Sequence, residues 1–249
     1  MLETLRNAFK IKDLRKRIGF TFFMLIVVRI GSQLPIPGVD PDVFSQLFAN
    51  SGDALNFFDA ITGGSFENMS IFALNITPYI TSSIIMQLLT IAIPKLEEMQ
   101  RDGEEGRKKI SSITRYMTVV LGFVQATGLY FGLSSYISGG NSVMNFIIVT
   151  ATLTAGTAFL MWLGEEITEK GIGNGISLII FTGIVSRGPA MIRSLQATLF
   201  SGDNVSFQSV VTLVAILAIA VIAIGFVVTM NDAERRILVQ YAKRVVGRK

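Results

Sequence analysis

Residues 70–80 read SIFALNITPYI and residues 171–177 read GIGNGIS. Each segment belongs to an apolar stretch long enough to cross a membrane, and each is interrupted by residues that break helices. A break frees backbone N–H and C=O groups, and lipid offers these groups no partners. Because broken apolar helices are tolerated only against protein or a cavity, the two segments together predict a chain that lines a cavity or a pore.

The composition is typical of a polytopic helical membrane protein. Half of the 249 residues are hydrophobic and 16% are charged, against about 25% charged residues in a typical soluble domain. There is no cysteine and no histidine, which excludes disulfides, thiol nucleophiles, histidine metal sites and Ser-His-Asp catalysis. We therefore expect no thiol, disulfide or histidine chemistry from these residues.

The apolar runs predict six membrane spans, because a bilayer needs about 20 apolar residues per helix. The spans are 18–34, 71–93, 116–137, 143–164, 171–192 and 210–230. This gives an all-α bundle with four parts: a basic amphipathic helix at 1–17, five spans over 18–192, an external loop and sixth span over 193–230, and a basic cytoplasmic segment at 231–249.

The distribution of basic residues predicts the orientation in the membrane. Nineteen Lys and Arg residues lie on one side of the six spans, whereas two, Arg187 and Arg193, lie on the other. Cytoplasmic loops carry the excess of positive charge, so the N-terminus is expected in the cytoplasm. Arg29 lies within the first span and needs a partner there, or must reach the interface.

The external segment at residues 32–69 contains no Lys or Arg and holds an apolar stretch, 53–64, that is too short to span a membrane. From composition alone this stretch is either a surface helix or a half-helix folded back into the protein. Gly63 and Gly64 end it and allow a sharp turn into the second span.

The polar residues and the isoleucines of the broken spans each allow two interpretations of their role. The polar side chains of the second span either join helices or line a pore. Ile76 and Ile80 share one helix face, as do Ile176 and Ile180. Each pair is either ordinary packing or part of a hydrophobic constriction, and spacing does not decide between these.

Two further groups have simpler explanations. The glycines of 171–175 lack the spacing and the lysine of a nucleotide-binding loop. Glu165, Glu166 and Glu169 lie at a helix end next to Lys170, so we expect a solvated charge cluster rather than an acid–base pair.

Dispersed motifs along the chain resemble the SecY family, the channel subunits of the bacterial protein-conducting translocon. The motifs are RIG at 29–31, LPIPG at 34–38, SIFA at 70–73, PYI at 78–80, GRKK at 106–109 with TRY at 114–116, FLMWLGE at 159–165, GIGNGIS at 171–177 and YAKR at 241–244. The likeness covers essentially the whole chain, in order.

The resemblance implies a role for each of several groups of residues. Half of a hydrophobic pore ring falls at Ile76, Ile80, Ile176 and Ile180. The plug that closes the channel from outside falls at 53–64, including Leu55, Phe57, Phe58, Ile61, Gly63 and Gly64. One wall of a lateral gate falls at Thr81, Ile84 and Gln87. Contacts to the ribosome or to the SecA motor fall at Arg235, Arg236, Lys243, Arg244, Arg248 and Lys249.

By the same resemblance the fold is the first five-span inverted-repeat half of a ten-span channel, followed by its sixth span. The expected partners are SecE, SecG, SecA, the ribosome through its RNA, signal sequences and nascent chains, membrane lipid and the missing C-terminal half. The expected cellular location is the bacterial inner membrane. The resemblance also implies a protein that is not an enzyme and that holds no metal or cofactor.

Two other functions remain to be compared with a channel. A secondary transporter also uses broken helices, but the six spans contain no Asp, Glu or His for ion coupling. A scaffold or insertase-like chaperone without a pore would not contact a translocating chain at the isoleucine pairs.

Overall fold

A computed structural model of the chain describes residues 11–39, 59, 62–133, 142–199 and 207–234, with the backbone alone at 194–199 and 207–210. The described residues form eight helices: α1 (Lys12–Gly31), α2 (Thr77–Ala92), α3 (Pro94–Arg101), α4 (Glu104–Leu133), α5 (Val143–Lys170), α6 (Gly175–Ser186), α7 (Gly188–Leu199) and α8 (Phe207–Asn231). An isolated β-bridge joins Pro35 and Ser70. The predicted all-α fold is confirmed.

The chain divides into two compact units, Met1–Pro189 and Ala190–Lys249. In the first unit α5 is the central helix and packs against α1, α4 and α6. It buries ten residues along its length, from Val149 to Ile167, which makes it the core of that unit. In the second unit, the apolar stretch Val211–Asn231 of α8 has none of its residues buried.

Three described helical stretches are long and apolar enough to cross a membrane: Val143–Lys170, Gly175–Arg193, which runs from α6 into α7, and Val211–Asn231. A fourth is possible if Thr77–Ala92 and Pro94–Arg101, bent by 101°, form one broken span. The sequence predicts six. α1 falls short because it begins with the charged run KDLRKR and carries Arg29 near its end, and the predicted span at 116–137 runs past Leu133, outside the described residues.

Among the predicted span boundaries that differ from the observed helix bounds, two concern basic segments of the chain. α1 is continuous from Lys12 to Gly31, so the basic residues from Lys12 to Arg17 form the first turns of the same helix as the predicted span. α4 begins at Glu104, so most of the predicted loop before residue 116 is helical. Two acidic residues in the first turn of α4, Glu104 and Glu105, favour a helix start because they complement the positive N-terminal end of the helix dipole.

The exit from α1 pairs with the segment that precedes α2. Ile36 N–H donates to the Met69 carbonyl at 2.9 Å, and Ile71 N–H donates to the Leu34 carbonyl at 3.0 Å. The residues Pro35 and Pro37 hold this exit extended. The pairing leads the chain back toward the bundle immediately before the first break.

The segment at 72–76 crosses the centre of the first unit, and all five of its residues are buried. Two glycines make room for it. A Cβ on Gly156 of α5 would lie 1.9 Å from the Ile71 carbonyl oxygen, and a Cβ on Gly31 of α1 would lie 2.1 Å from the Phe72 ring. The first broken segment is therefore enclosed between α1 and α5.

Candidate pore wall and external closure

The second break, at residues 171–175, supplies protein partners for the backbone groups that it frees. Ile172 N–H donates to the Thr21 hydroxyl at 3.2 Å, and Gly175 N–H donates to the Thr168 hydroxyl at 2.9 Å. The Asn174 side chain caps α6 by accepting from the N–H groups of Ile176 and Ser177. A break in a membrane helix requires such hydrogen-bond partners for its freed backbone N–H groups.

The first break begins α2 at Thr77, with Pro78 in its first turn. A proline is tolerated there because the N–H that it lacks has no helical partner at that position. Asn75 adopts a left-handed backbone with φ of 52°, and its side-chain oxygen accepts from Ile76 N–H at 2.9 Å. Both predicted breaks are thus confirmed as helix starts.

The predicted pore-ring isoleucines differ in exposure. Ile76 is 1% exposed and belongs to an apolar cluster with residues of α1, α5 and α6. Ile176 packs against the same cluster and is half-buried, as is Ile180. Ile80 is 38% exposed. The structure brings Ile76 and Ile176 into one cluster and leaves Ile80 the most accessible of the four, while their role in a ring stays a prediction.

The predicted lateral-gate residues lie along α2. Thr81 is half-buried, whereas Ile84 and Gln87 are exposed. Gln87 also lines a cavity of about 350 Å³ that α2 shares with α3 and α4. A row of apolar side chains continues along the same helix, with exposure rising from 38% at Ile80 through Ile84 and Leu88 to 80% at Ile91. These spacings of three and four residues place the row on one helix face.

The polar side chains of α2 are satisfied largely by their own helix. Thr81 donates to the Thr77 carbonyl at 3.0 Å, Ser82 to the Pro78 carbonyl at 2.7 Å and Thr90 to the Gln87 carbonyl at 2.7 Å. Hydroxyl groups bonded in this way need neither another helix nor water. The polar residues therefore do not decide between helix contact and pore lining, and the exposed apolar row is the more informative feature.

The predicted plug region falls only partly within the described residues. Leu55, Phe57, Phe58 and Ile61 lie outside them. Residues 62–65 are buried, so this end of the external segment is folded into the bundle. Gly63 and Gly64 have φ of 71° and 87°, the left-handed conformation that glycine adopts without strain, which confirms the predicted sharp turn.

Two arginines contact this end of the external segment. Arg29 of α1 donates to the Gly63 carbonyl at 3.0 Å, which supplies the protein partner that its intramembrane position requires. Arg187, at the end of α6, forms ion pairs with Asp59 and Glu67. The sequence analysis did not predict the ion pairs of Arg187, although a single arginine at the end of an apolar span is a signal for a buried partner.

The acidic residues at the end of α5 form ion pairs. Glu166 pairs with Lys170 one helical turn away, as expected for a solvated cluster. Glu165, which is partly buried, instead accepts from Arg115 of α4 at 2.9 Å and so links two helices. Among the described residues no group of acidic side chains is arranged to hold a metal ion.

The six basic residues predicted to contact the ribosome or SecA, from Arg235 to Lys249, lie outside the described residues. The predicted contact surface therefore stays a prediction from sequence.

Comparisons with known proteins agree with this architecture. The SecY family model matches residues 70–249. The chain is 46% identical over its full length to the protein translocase subunit SecY of Halalkalibacterium halodurans, covering 58% of that protein. It is 47% identical over 96% of its length to the same subunit of Pseudomonas aeruginosa, covering 54% of that protein. The chain thus spans somewhat more than half the length of these relatives.

Among solved structures, Sec61 in the canine ribosome–channel complex from the endoplasmic reticulum matches 77% of this chain and 39% of its own chain, with a TM-score of 0.50 and 20% sequence identity. At that identity the likeness shows the fold alone. The fold is that of a channel-type bundle of membrane helices, and the protein is a multi-pass membrane protein. The chain belongs to the SecY family.

Proposed function

We propose that this chain is the N-terminal part of the central, pore-forming subunit of a Sec translocon in the bacterial inner membrane, with its N-terminus in the cytoplasm. The complete protein conducts unfolded polypeptides across the membrane and releases apolar segments sideways into lipid. The observation that carries the proposal is the burial of residues 62–65 within the bundle. A segment that enters the bundle from the outer side can close it there, which is the kind of closure that a gated channel needs.

In this proposal the isoleucine pairs supply half of a hydrophobic ring. An apolar constriction excludes water and ions while it remains narrow. It can widen to admit an extended chain without making contacts specific to the sequence of that chain. Ile80, the most exposed of the four isoleucines, is the member expected to contact a translocating chain. The rest of the ring comes from the part of the longer protein that this chain does not include.

The exposed apolar row on α2 supports a lateral exit. An apolar helix leaving a pore for lipid needs a continuous apolar wall, because every polar contact in that environment costs free energy. Ile84, Leu88 and Ile91 provide such a wall over the inner half of α2. Thr81 and Gln87 flank it and mark its edges.

The partners follow from the charge distribution and the family. The basic segment at 231–249 is suited to ribosomal RNA or to acidic surfaces of SecA. The driving force comes from those partners, and SecE and SecG complete the complex.

Replacing Ile80 with Asp in the full-length complex tests the proposal. A charge in the ring would hydrate it and raise the resting ion conductance of proteoliposomes that contain the complex. Signal-sequence selectivity should fall at the same time. Leu160→Asp, at a buried position of α5, is the matched control and should act by unfolding the protein. If Ile80→Asp leaves both conductance and selectivity unchanged, the ring assignment is wrong.

A further inference from the structure

Three charged side chains meet where the external segment touches α6. The Arg187 guanidinium contacts the carboxylates of Asp59 and of Glu67, the latter at 2.5 Å. Asp59 is 4% exposed, and its other carboxylate oxygen accepts from Glu67 N–H at 2.8 Å. One buried carboxylate therefore both holds the external segment in shape and binds it to a membrane helix.

This pairing stabilises one conformation selectively. A buried carboxylate that loses its cation is strongly destabilising, because it has been removed from water without compensation. Once the segment leaves the bundle, however, Asp59 and Glu67 return to water and no longer need Arg187. The ion pairs thus contribute to the docked state and contribute little to the undocked one.

The backbone around the pairs fits closely. A Cβ on Gly63 would lie 2.7 Å from Gly183 Cα of α6, and a Cβ on Gly64 would lie 3.1 Å from Arg187 Nε. The cavity left between Thr62, Ser65 and α6 is only about 10 Å³, roughly the least that holds one water. The docked segment therefore leaves room for at most about one water between Thr62, Ser65 and α6.

We propose that Arg187 is the positioning residue of an electrostatic latch, which holds Asp59 and residues 62–67 against α6 in the closed channel and must break before the external side opens. Arg29 is its second anchor, since it binds the Gly63 carbonyl from α1. This inference rests on the proposed channel function. It assigns part of the energy of closure to the ion pairs of Arg187 with two carboxylates and to the Arg29 hydrogen bond, in addition to the apolar ring.

The test measures resting ion conductance of the full-length complex in proteoliposomes, with precursor translocation measured on the same vesicles. Arg187→Gln should raise the resting conductance by about tenfold or more, since it removes the cation of a buried pair. Arg101→Gln is the matched control, because it breaks an exposed pair with Glu97 on α3 and should leave conductance unchanged.

A charge exchange separates the latch from simple loss of structure. The double variant Arg187→Glu with Glu67→Arg keeps one cation and two carboxylates in the cluster and should restore at least half of the closure that Arg187→Glu loses. If Arg187→Gln does not accumulate in membranes, Glu67→Gln replaces it, with a smaller rise expected because Glu67 is partly exposed.

The outcomes are distinct. Wild-type conductance in Arg187→Gln or its replacement, in vesicles that translocate a precursor, overturns the latch and leaves the channel function intact. A rise that the charge exchange does not reduce also overturns the latch. A wild-type complex that translocates no precursor contradicts the proposed function itself.

Discussion

Gly63 lies against Gly183 so closely that a Cβ on Gly63 would be 2.7 Å from both the Cα and the carbonyl oxygen of Gly183. The first glycine belongs to the external segment and the second to α6. This contact joins the part of the chain that returns into the bundle to the helix that carries two of the predicted ring isoleucines. Any side chain at Gly63 must therefore separate the two elements.

Gly63→Ala should lower the thermal midpoint of the detergent-solubilised complex more than Gly38→Ala does. Both glycines have positive φ, 71° and 84°, so both substitutions carry a strain of about 1–2 kcal/mol. Only Gly63→Ala adds a clash, worth about a further 1–3 kcal/mol, because a Cβ on Gly38 meets nothing within 4 Å. Equal midpoints for the two variants would show that the contact with Gly183 is not maintained.

Gly156→Ala should be among the most destabilising alanine substitutions in the chain. Its Cβ would lie 1.9 Å from the Ile71 carbonyl oxygen, so the buried segment at 72–76 would have to move. Gly132→Ala is the control, because that helical glycine has open space around it and alanine there favours the helix by about 1 kcal/mol. The thermal midpoint should fall below that of wild type in Gly156→Ala and rise above it in Gly132→Ala. An unchanged midpoint in Gly156→Ala would contradict the enclosure of the segment at 72–76.

Local chemistry was sufficient to predict some of these features and insufficient for others. Pro78 and the Gly-Asn-Gly run at 173–175 mark helix starts by their own backbone preferences, so both breaks were predictable. The ion pairs of Arg187 were not, because its partners Asp59 and Glu67 precede it by more than 100 residues and no local pattern joins them. The sharp bend at Pro94 had a local signal, since a residue before proline is disfavoured in a helix, but its angle depends on packing.

The burial of Ile76 also exceeded what spacing could predict. An i, i+4 pair defines a helix face, and Ile76 lies just before the first residue of α2. Its side chain therefore enters the cluster between α1, α5 and α6, while Ile80 lies on the exposed row. Which isoleucine faces a pore depends on where the break falls relative to its neighbours, and that position is a tertiary property.

Asn174→Ala should weaken the start of α6. The Asn174 side chain accepts hydrogen bonds from the N–H groups of Ile176 and Ser177 at 3.1 and 3.2 Å, and loss of such a cap costs about 1 kcal/mol. Hydrogen exchange at the first turn of α6 should therefore accelerate by roughly fivefold. Asn174→Asp keeps an acceptor and should remain close to wild type. Similar acceleration in both variants would rule out the cap as the cause.

The link between Arg115 and Glu165 should contribute modestly to stability. Both side chains are partly exposed, at 51% and 24%, and pairs of this kind contribute below about 1 kcal/mol. A double-mutant cycle of Arg115→Gln and Glu165→Gln, measured by thermal unfolding, should give a coupling in that range that shrinks as salt is added. A coupling several times larger, or one insensitive to salt, would mean that the pair is effectively buried in the complete protein.

The most direct test of the central claim is photo-cross-linking of a stalled nascent chain in the full-length complex. A benzophenone side chain is placed in turn at Ile80 and at Leu160, which is 1% exposed on α5; the chain has no cysteine, so single-cysteine labelling offers an independent repeat. We expect strong cross-links from Ile80 that depend on the nascent chain, and none from Leu160. A stalled chain that cross-links from neither position, in a complex that translocates, would contradict the assignment of this helix face to the pore.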